Sequence, residues 1–234
     1  MSPDPRDALA ASQFAAPVRA SGLRVAVVAG CTGRLGEALL NAVLGSSVYE
    51  RVYASTRMPL ESSLRKLVAA DIGHALPAVD DVYCLIAGQD HALSAASYFG
   101  RDDAFAEYPP KAIVDLVRGA RAAGARRFAL ISPIEVYLQS SVFAEAVIDE
   151  AEYTVGSAGF ESVVILRPTA SGTAQPQGTA MQRFMHWWFR QFTHMIPSSV
   201  QPVLSSRVAS MAVEALTTAG PGRRVVTAQD MQAR

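Results

Sequence analysis

The sequence predicts an α/β protein built on a doubly wound parallel sheet, with a small C-terminal capping region. Three observations predict it. Strand-like and helix-like segments alternate from Arg24 onward. The strand-like segments are apolar almost throughout, as strands are when a parallel sheet is covered on both faces. Between the first strand and the first helix, "VVAGCTGRLG" (27–36) sets three glycines at three-residue spacing.

The elements follow in order. "LRVAVVAG" (23–30) is a short buried strand, and "RLGEALLNAVLGS" (34–46) is a helix by its apolar spacing, closing at Gly45. "ERVYASTR" (50–57), "RKLVAAD" (65–71) and "DDVYCLIAG" (80–88) are the second, third and fourth strands. "PPKAIVDLVRGARAAG" (109–124) is a helix with prolines at its start and Gly124 at its end, the expected asymmetry. "ARRFALIS" (125–132) is a fifth strand, 140–159 another helix, and "FESVVILRP" (160–168) a sixth strand stopped by Pro168. Right-handed crossovers are expected for such a chain. Beyond Pro168 come a Gly/Thr/Ser/Pro-rich loop (169–180) and an aromatic stretch (181–197). A helix over 205–220 and a short strand at 223–228 complete the chain. This tail is too small for an independent domain and is expected to cap the open end of the sheet, with 169–200 as the cap or lid. One domain over 23–234 is therefore predicted, behind a flexible lead-in of residues 1–22 rich in Pro, Ser and Ala.

Composition narrows the classes. The chain has 234 residues, half of them hydrophobic and 18% charged, which suits a globular protein with a sizeable core. Lys+Arg and Asp+Glu both number 21, so no basic surplus points to nucleic acid. No apolar run reaches the roughly 18–20 residues of a membrane span. The N-terminus lacks the basic start and apolar core of a secretory signal, so a cytoplasmic location is expected. Cys31 and Cys84 each lie in an apolar run and read as buried thiols rather than a disulfide or metal pair. His74, His91, His186 and His194 show no metal-ligand spacing.

The glycine loop carries the chemistry. Gly30, Gly33 and Gly36 lack a Cβ, which permits a tight turn and close backbone approach to a pyrophosphate lying on the helix N-terminus. With a strand before it and a helix after it, the loop predicts dinucleotide binding rather than a merely structural turn. The second strand ends in "ASTR" without the carboxylate that binds an NAD ribose. Arg57 stands there instead, with Arg34 in the loop as a second cation, so NADP(H) is predicted over NAD(H); the alternative is two solvated arginines. Asp71 and Ile72 end the third strand, where an acid accepts from an adenine amino group and an apolar side chain packs on the ring; a plain strand-end turn is the alternative. Ala87 and Gly88 end the fourth strand and are small enough for a cofactor ribose to pass.

"AGCTGRLG" resembles the glycine motif of atypical and extended short-chain dehydrogenases/reductases. Residues 85–132 and "GFESVVILRPT" resemble the Tat-interacting-protein branch, near the NmrA-like proteins. The resemblance spans about residues 24–230 and implies a Rossmann fold, an NADP(H) site and a small C-terminal substrate region. It matches Gly30, Thr32, Gly33, Arg34, Leu35 and Gly36 to the phosphate loop and Arg57 to the 2′-phosphate position. Ser132 matches the serine ending the fifth strand, and Pro168 the proline bordering the nicotinamide. The family includes both enzymes and dinucleotide-binding regulators.

Catalysis is where the chain departs. Short-chain reductases use a Tyr and a Lys four residues later on the helix after the fifth strand, the lysine lowering the tyrosine pKa. The only lysines here, Lys66 and Lys111, both precede that helix, so the pair is absent. "SPIEVY" offers Ser132 to polarise a carbonyl and Tyr137 as a proton donor beside Glu135, but Pro133 sits four residues before Tyr137, where extended members keep a serine. A packing role for Tyr137 is the alternative. Tyr153 is expected to pack on the outer face of the next helix, and Glu145, Asp149, Glu150 and Glu152 to form its solvated side.

"FMHWWFRQF" (184–192) carries aromatics around almost a full helical turn. They suit core packing, a second copy of the chain, or a lid over an apolar substrate. Two functions follow: an NADP(H)-dependent oxidoreductase on an apolar carbonyl or quinone, or a non-catalytic NADP(H)-binding protein whose aromatic surface meets a protein partner.

Overall fold

The structure, a computed structural model, describes residues 22–55, 66–70, 76–86, 108–133, 142–168 and 203–232, and the side chains of all of these except 69, 70, 110 and 142–149. Residues 1–21 of the expected lead-in and the whole of the expected cap, 169–200, lie outside the described residues.

Strand β1 (Arg24–Ala29) has five of its six residues buried, and its side chains alternate between two cores. Ala26 and Val28 face one layer, and Val25, Val27 and Ala29 the other. Helix α1 (Gly33–Gly45) follows and buries Gly36, Leu39, Leu40 and Val43, the stripe its periodicity predicts. Strands β2 (Tyr49–Ser55), β3 (Leu67–Ala70) and β4 (Asp81–Leu85) come next. A 3₁₀ turn over Pro110–Ala112 leads into helix α2 (Ile113–Ala122), which buries Ile113, Leu116, Val117 and Ala120. Strand β5 (Arg127–Ile131), helix α3 (Val142–Ser157) and strand β6 (Ser162–Arg167) complete the expected alternation.

Among the described residues seven strands form one sheet in the order β3-β2-β1-β4-β5-β6-β7, with every pairing parallel. Strand β7 is Gly222–Thr227, preceded by helix α4 (Ser205–Thr218) and followed by the short helix α5 (Ala228–Gln232). α1 and α4 pack against each other on one side of the sheet, and α2 and α3 against each other on the other. The strand order reverses between β1 and β4, the switch point at which doubly wound sheets bind ligands.

Two sequence expectations are corrected here. The part of the tail from 203 to 232 does not cap the sheet. It adds β7 to the edge, paired with β6 from Ser162↔Gly222 to Arg167↔Thr227, and lays α4 on a face. The apolar stripe Val208, Ala209, Ala212, Ala215 and Leu216 needs the sheet for its burial. The solvated acidic face of α3 also fails at one position. Glu150 is exposed, but Glu152 is only 2% exposed, because it shares the inward side of the helix with Ala151 and Val155. Glu145 and Asp149 lie outside the described side chains. Tyr153 stands on the outer face, exposed. Both cysteines are free and buried, as expected.

A polar cluster ties the central strands together at their amino-terminal ends. Asp81, the first residue of β4, is fully buried and accepts hydrogen bonds from Tyr49 Oη at 2.7 Å and Arg127 Nε at 2.7 Å. The Tyr49 and Tyr83 hydroxyls lie 2.7 Å apart, and Arg24 Nη1 is 3.6 Å from the carboxylate. Burial pushes the Asp81 carboxyl up, while the Tyr49 hydroxyl and the two guanidiniums oppose it. All four residues start their strands or lie close to the start, so the cluster fastens the amino-terminal ends of the strands.

Candidate functional site

The loop from Gly30 to Gly36 joins β1 to α1 at the switch point. Gly30 has φ +79°, and a Cβ there would collide with the Leu85 carbonyl oxygen at the end of β4. A Cβ on Gly36 would lie 2.5 Å from the Cys31 carbonyl carbon and 2.6 Å from the Gly30 oxygen. These two glycines let the loop fold onto the sheet and onto its own helix. Gly33 is different. Its φ is +67°, yet among the described residues nothing lies within 4 Å of where a Cβ would stand, and its backbone is exposed.

The helix start is arranged as an anion site is. Thr32 is the N-cap in extended conformation and makes no side-chain capping hydrogen bond, and no acid occupies the first turn of α1. Among the described residues the first-turn N–H groups thus have neither a cap from the Thr32 side chain nor an acid of their own turn, and the helix dipole adds positive potential. Arg34 stands exposed in that turn, and Leu35 packs half-buried against the core. Cys31, between the glycines, is pinned rather than reactive. Its Sγ–H donates to the Val28 carbonyl at 3.4 Å, and burial pushes the thiol up to about 12 against a backbone hydrogen bond from Ser55. The thiol fastens the loop to the ends of β1 and β2.

Ser132 follows β5 and is 1% exposed. Its N–H donates to the Leu166 carbonyl at 3.0 Å, and its hydroxyl donates to Glu152 Oε1 at 3.3 Å. Arg167, the last residue of β6, binds the same carboxylate through Nε at 2.9 Å and Nη2 at 2.5 Å, and Arg223 Nη2 approaches it at 3.5 Å. Pro168 follows, buried. The structure thus brings Gly30, Thr32, Gly33, Arg34, Leu35 and Gly36 together around one helix end, with Ser132 and Pro168 at the ends of β5 and β6, beyond β4 in the sheet. Arg57, Asp71, Ile72, Ala87, Gly88 and Tyr137 lie outside the described residues. Sequence reasoning missed Glu152. The signal was its place between the apolar positions Ala151 and Val155, which puts it on the buried side of α3.

A seven-stranded parallel sheet with a glycine-rich first strand-to-helix turn at its switch point defines a Rossmann-type domain. No family model matches the chain, and no curated protein matches it by sequence. Solved structures do match. A triphenylmethane reductase of Citrobacter sp. complexed with NADP(H) aligns with TM-score 0.54 and 16% identity over 88% of this chain and 69% of its own. An NADPH-dependent quinone oxidoreductase of Escherichia coli complexed with NADPH aligns with TM-score 0.52 and 18% identity over 87% and 68%. The Bordetella bronchiseptica enzyme WbmH in complex with NAD+ aligns with TM-score 0.52 and 12% identity over 88% and 76%. The fold is the one that the short-chain dehydrogenase/reductase resemblance implies.

Proposed function

We propose that the chain binds NADP(H) across the carboxyl-terminal edge of its sheet and serves as an oxidoreductase on an apolar carbonyl or quinone-like acceptor. The observation that carries the binding reading is the uncapped, acid-free start of α1 behind two glycines that admit no side chain. The residues fit the group: Gly33 offers open backbone for a pyrophosphate, and Arg34 supplies an exposed cation. Arg57, by its place after β2, is the second cation for a 2′-phosphate. Support comes also from the solved neighbours, two of which hold NADP(H) and one NAD+. A bound NADPH supplies hydride. The chain's own contribution is to hold the pyrophosphate on α1 and to fix the ends of β5 and β6.

A second reading, binding without turnover, is favoured by two facts. No lysine follows Lys111, and the one proton of the Ser132 hydroxyl is directed to Glu152 rather than to a substrate carbonyl. One experiment separates the readings: titrate the purified chain with NADPH and NADH, then screen quinones and aldehydes for loss of the reduced-nicotinamide absorbance. The oxidoreductase reading expects tight NADPH binding with turnover of at least one acceptor; tight binding with none across the panel selects the regulator. In the same assay Arg57→Ala is expected to cut the preference for NADPH over NADH about tenfold, equal to about 1.4 kcal/mol of phosphate contact. An unchanged preference removes Arg57 from the clamp.

A further inference from the structure

Glu152 is a buried carboxylate with no part in the binding just described, and its surroundings give it one. In a doubly wound sheet the pyrophosphate lies at the first glycine turn and the adenosine half toward the end of β2. The nicotinamide half is then left over the ends of β4, β5 and β6. Ser132 follows β5, and Arg167 ends β6 just before Pro168. Both donate to Glu152, the hydroxyl at 3.3 Å and the guanidinium at 2.9 and 2.5 Å. The guanidinium of Arg223 reaches the same carboxylate from the start of β7. Its side chain passes over Gly156 of α3, where a Cβ would lie 3.4 Å from Nη1. One helix residue thus holds side chains from β5, β6 and β7.

An apolar residue of similar size would pack α3 on the sheet without the desolvation that a carboxylate incurs. The carboxylate takes Ser132 and Arg167 Nε on one oxygen and Arg167 Nη2 on the other, and so fixes both rotamers at once with charge-assisted bonds. We infer that Glu152 is a positioning residue for the nicotinamide half of the dinucleotide. It touches no ligand, and it sets Ser132 and the Arg167–Pro168 end of β6 in the arrangement that receives that half. The inference rests on the dinucleotide-binding reading above.

The test is calorimetric titration of the full chain with two probes. One is NADPH; the other is 2′-phospho-ADP-ribose, which keeps the adenosine half and the pyrophosphate and lacks the nicotinamide. Wild type, Glu152→Gln and Arg223→Met are compared, with thermal melts to report folding. Glu152→Gln is expected to weaken NADPH about tenfold while 2′-phospho-ADP-ribose stays within about twofold, the pattern of a misplaced receiving surface rather than a damaged fold. Arg223→Met, at the sheet edge and with Arg167 still on the carboxylate, is expected to fold and to show the same selective loss, smaller in size. Equal loss of both probes, no loss of NADPH, or a wild type that binds both probes equally overturns the role of Glu152 alone. A wild type that binds neither probe overturns the dinucleotide reading on which it stands.

Discussion

Gly30 and Gly33 look alike in the sequence and differ in what surrounds them. At Gly30 a side chain meets the Leu85 carbonyl oxygen and a left-handed backbone together, whereas at Gly33 only the backbone resists. Gly33→Ala is therefore expected to cost about 1–2 kcal/mol of stability from conformation alone. Gly30→Ala is expected to cost more, because sheet and loop must both move. In urea titrations the midpoint should fall further for Gly30→Ala. In NADPH titrations Gly33→Ala should weaken binding well beyond its effect on stability, since its methyl would enter the open space above the helix. Equal midpoints for the two variants would contradict this reading of the loop. Cys31 gives a second test. Its thiol, held protonated up to about 12 by burial, contributes stability that is fully present below the ordinary thiol value and is lost as pH rises through about 12. At about pH 8 iodoacetamide should label the native chain slowly and the denatured chain fast. Rapid native labelling of Cys31 would mean that the loop is not packed on the ends of β1 and β2.

Helices in this fold are held by the stripe they bury, and their glycines divide accordingly. Gly36 in α1 is a contact position, closed to any larger residue. Gly119, inside α2, has among the described residues only the Leu76 side chain near its would-be Cβ, at 3.6 Å, an ordinary packing distance. Gly119→Ala is expected to stabilise the protein by about 0.5–1 kcal/mol, the gain of replacing glycine in a helix interior. A rise in melting temperature checks it, and a fall would mean that α2 sits closer to Leu76 than described. Helix α3 shows the opposite use of a helix face. Where α1 and α2 bury apolar stripes, α3 turns Glu152 inward and gains guanidinium and hydroxyl partners from the strand ends. Its neighbour Glu150 remains exposed on the same helix.

At the scale of the whole molecule, the two ends of the strands carry different groups. The amino-terminal edge is fastened by Asp81 with Tyr49, Arg127 and Arg24, and the carboxyl-terminal edge carries the glycine loop and the Glu152 cluster. Among the described residues no helix is long and apolar enough to cross a membrane. If the folded chain alone holds NADPH, ligand at about 100 times its dissociation constant should raise stability by about 2.7 kcal/mol. A thermal melt with and without NADPH reads this directly, and NADH at the same concentration should shift the transition less. Identical shifts from the two would remove the 2′-phosphate contact from the site.

The sequence by itself determined the layer order, the first six strands and the glycine loop, because each rests on local pattern. A run such as "RVAVVA" suits a strand covered on both faces, and three spaced glycines after it permit a turn that bulkier residues do not. Tertiary structure alone decided the role of the tail and the fate of Glu152. Residues 205–227 carry a helical stripe and a short strand that suit a cap or a sheet equally well, and pairing with β6 settled the matter. Glu152 is an acid among acids until α3 is laid on the sheet. The apolar positions Ala151 and Val155 mark the side of α3 on which Glu152 lies, but its partners are set only where Ser132, Arg167 and Arg223 come together from three strands far apart in the chain.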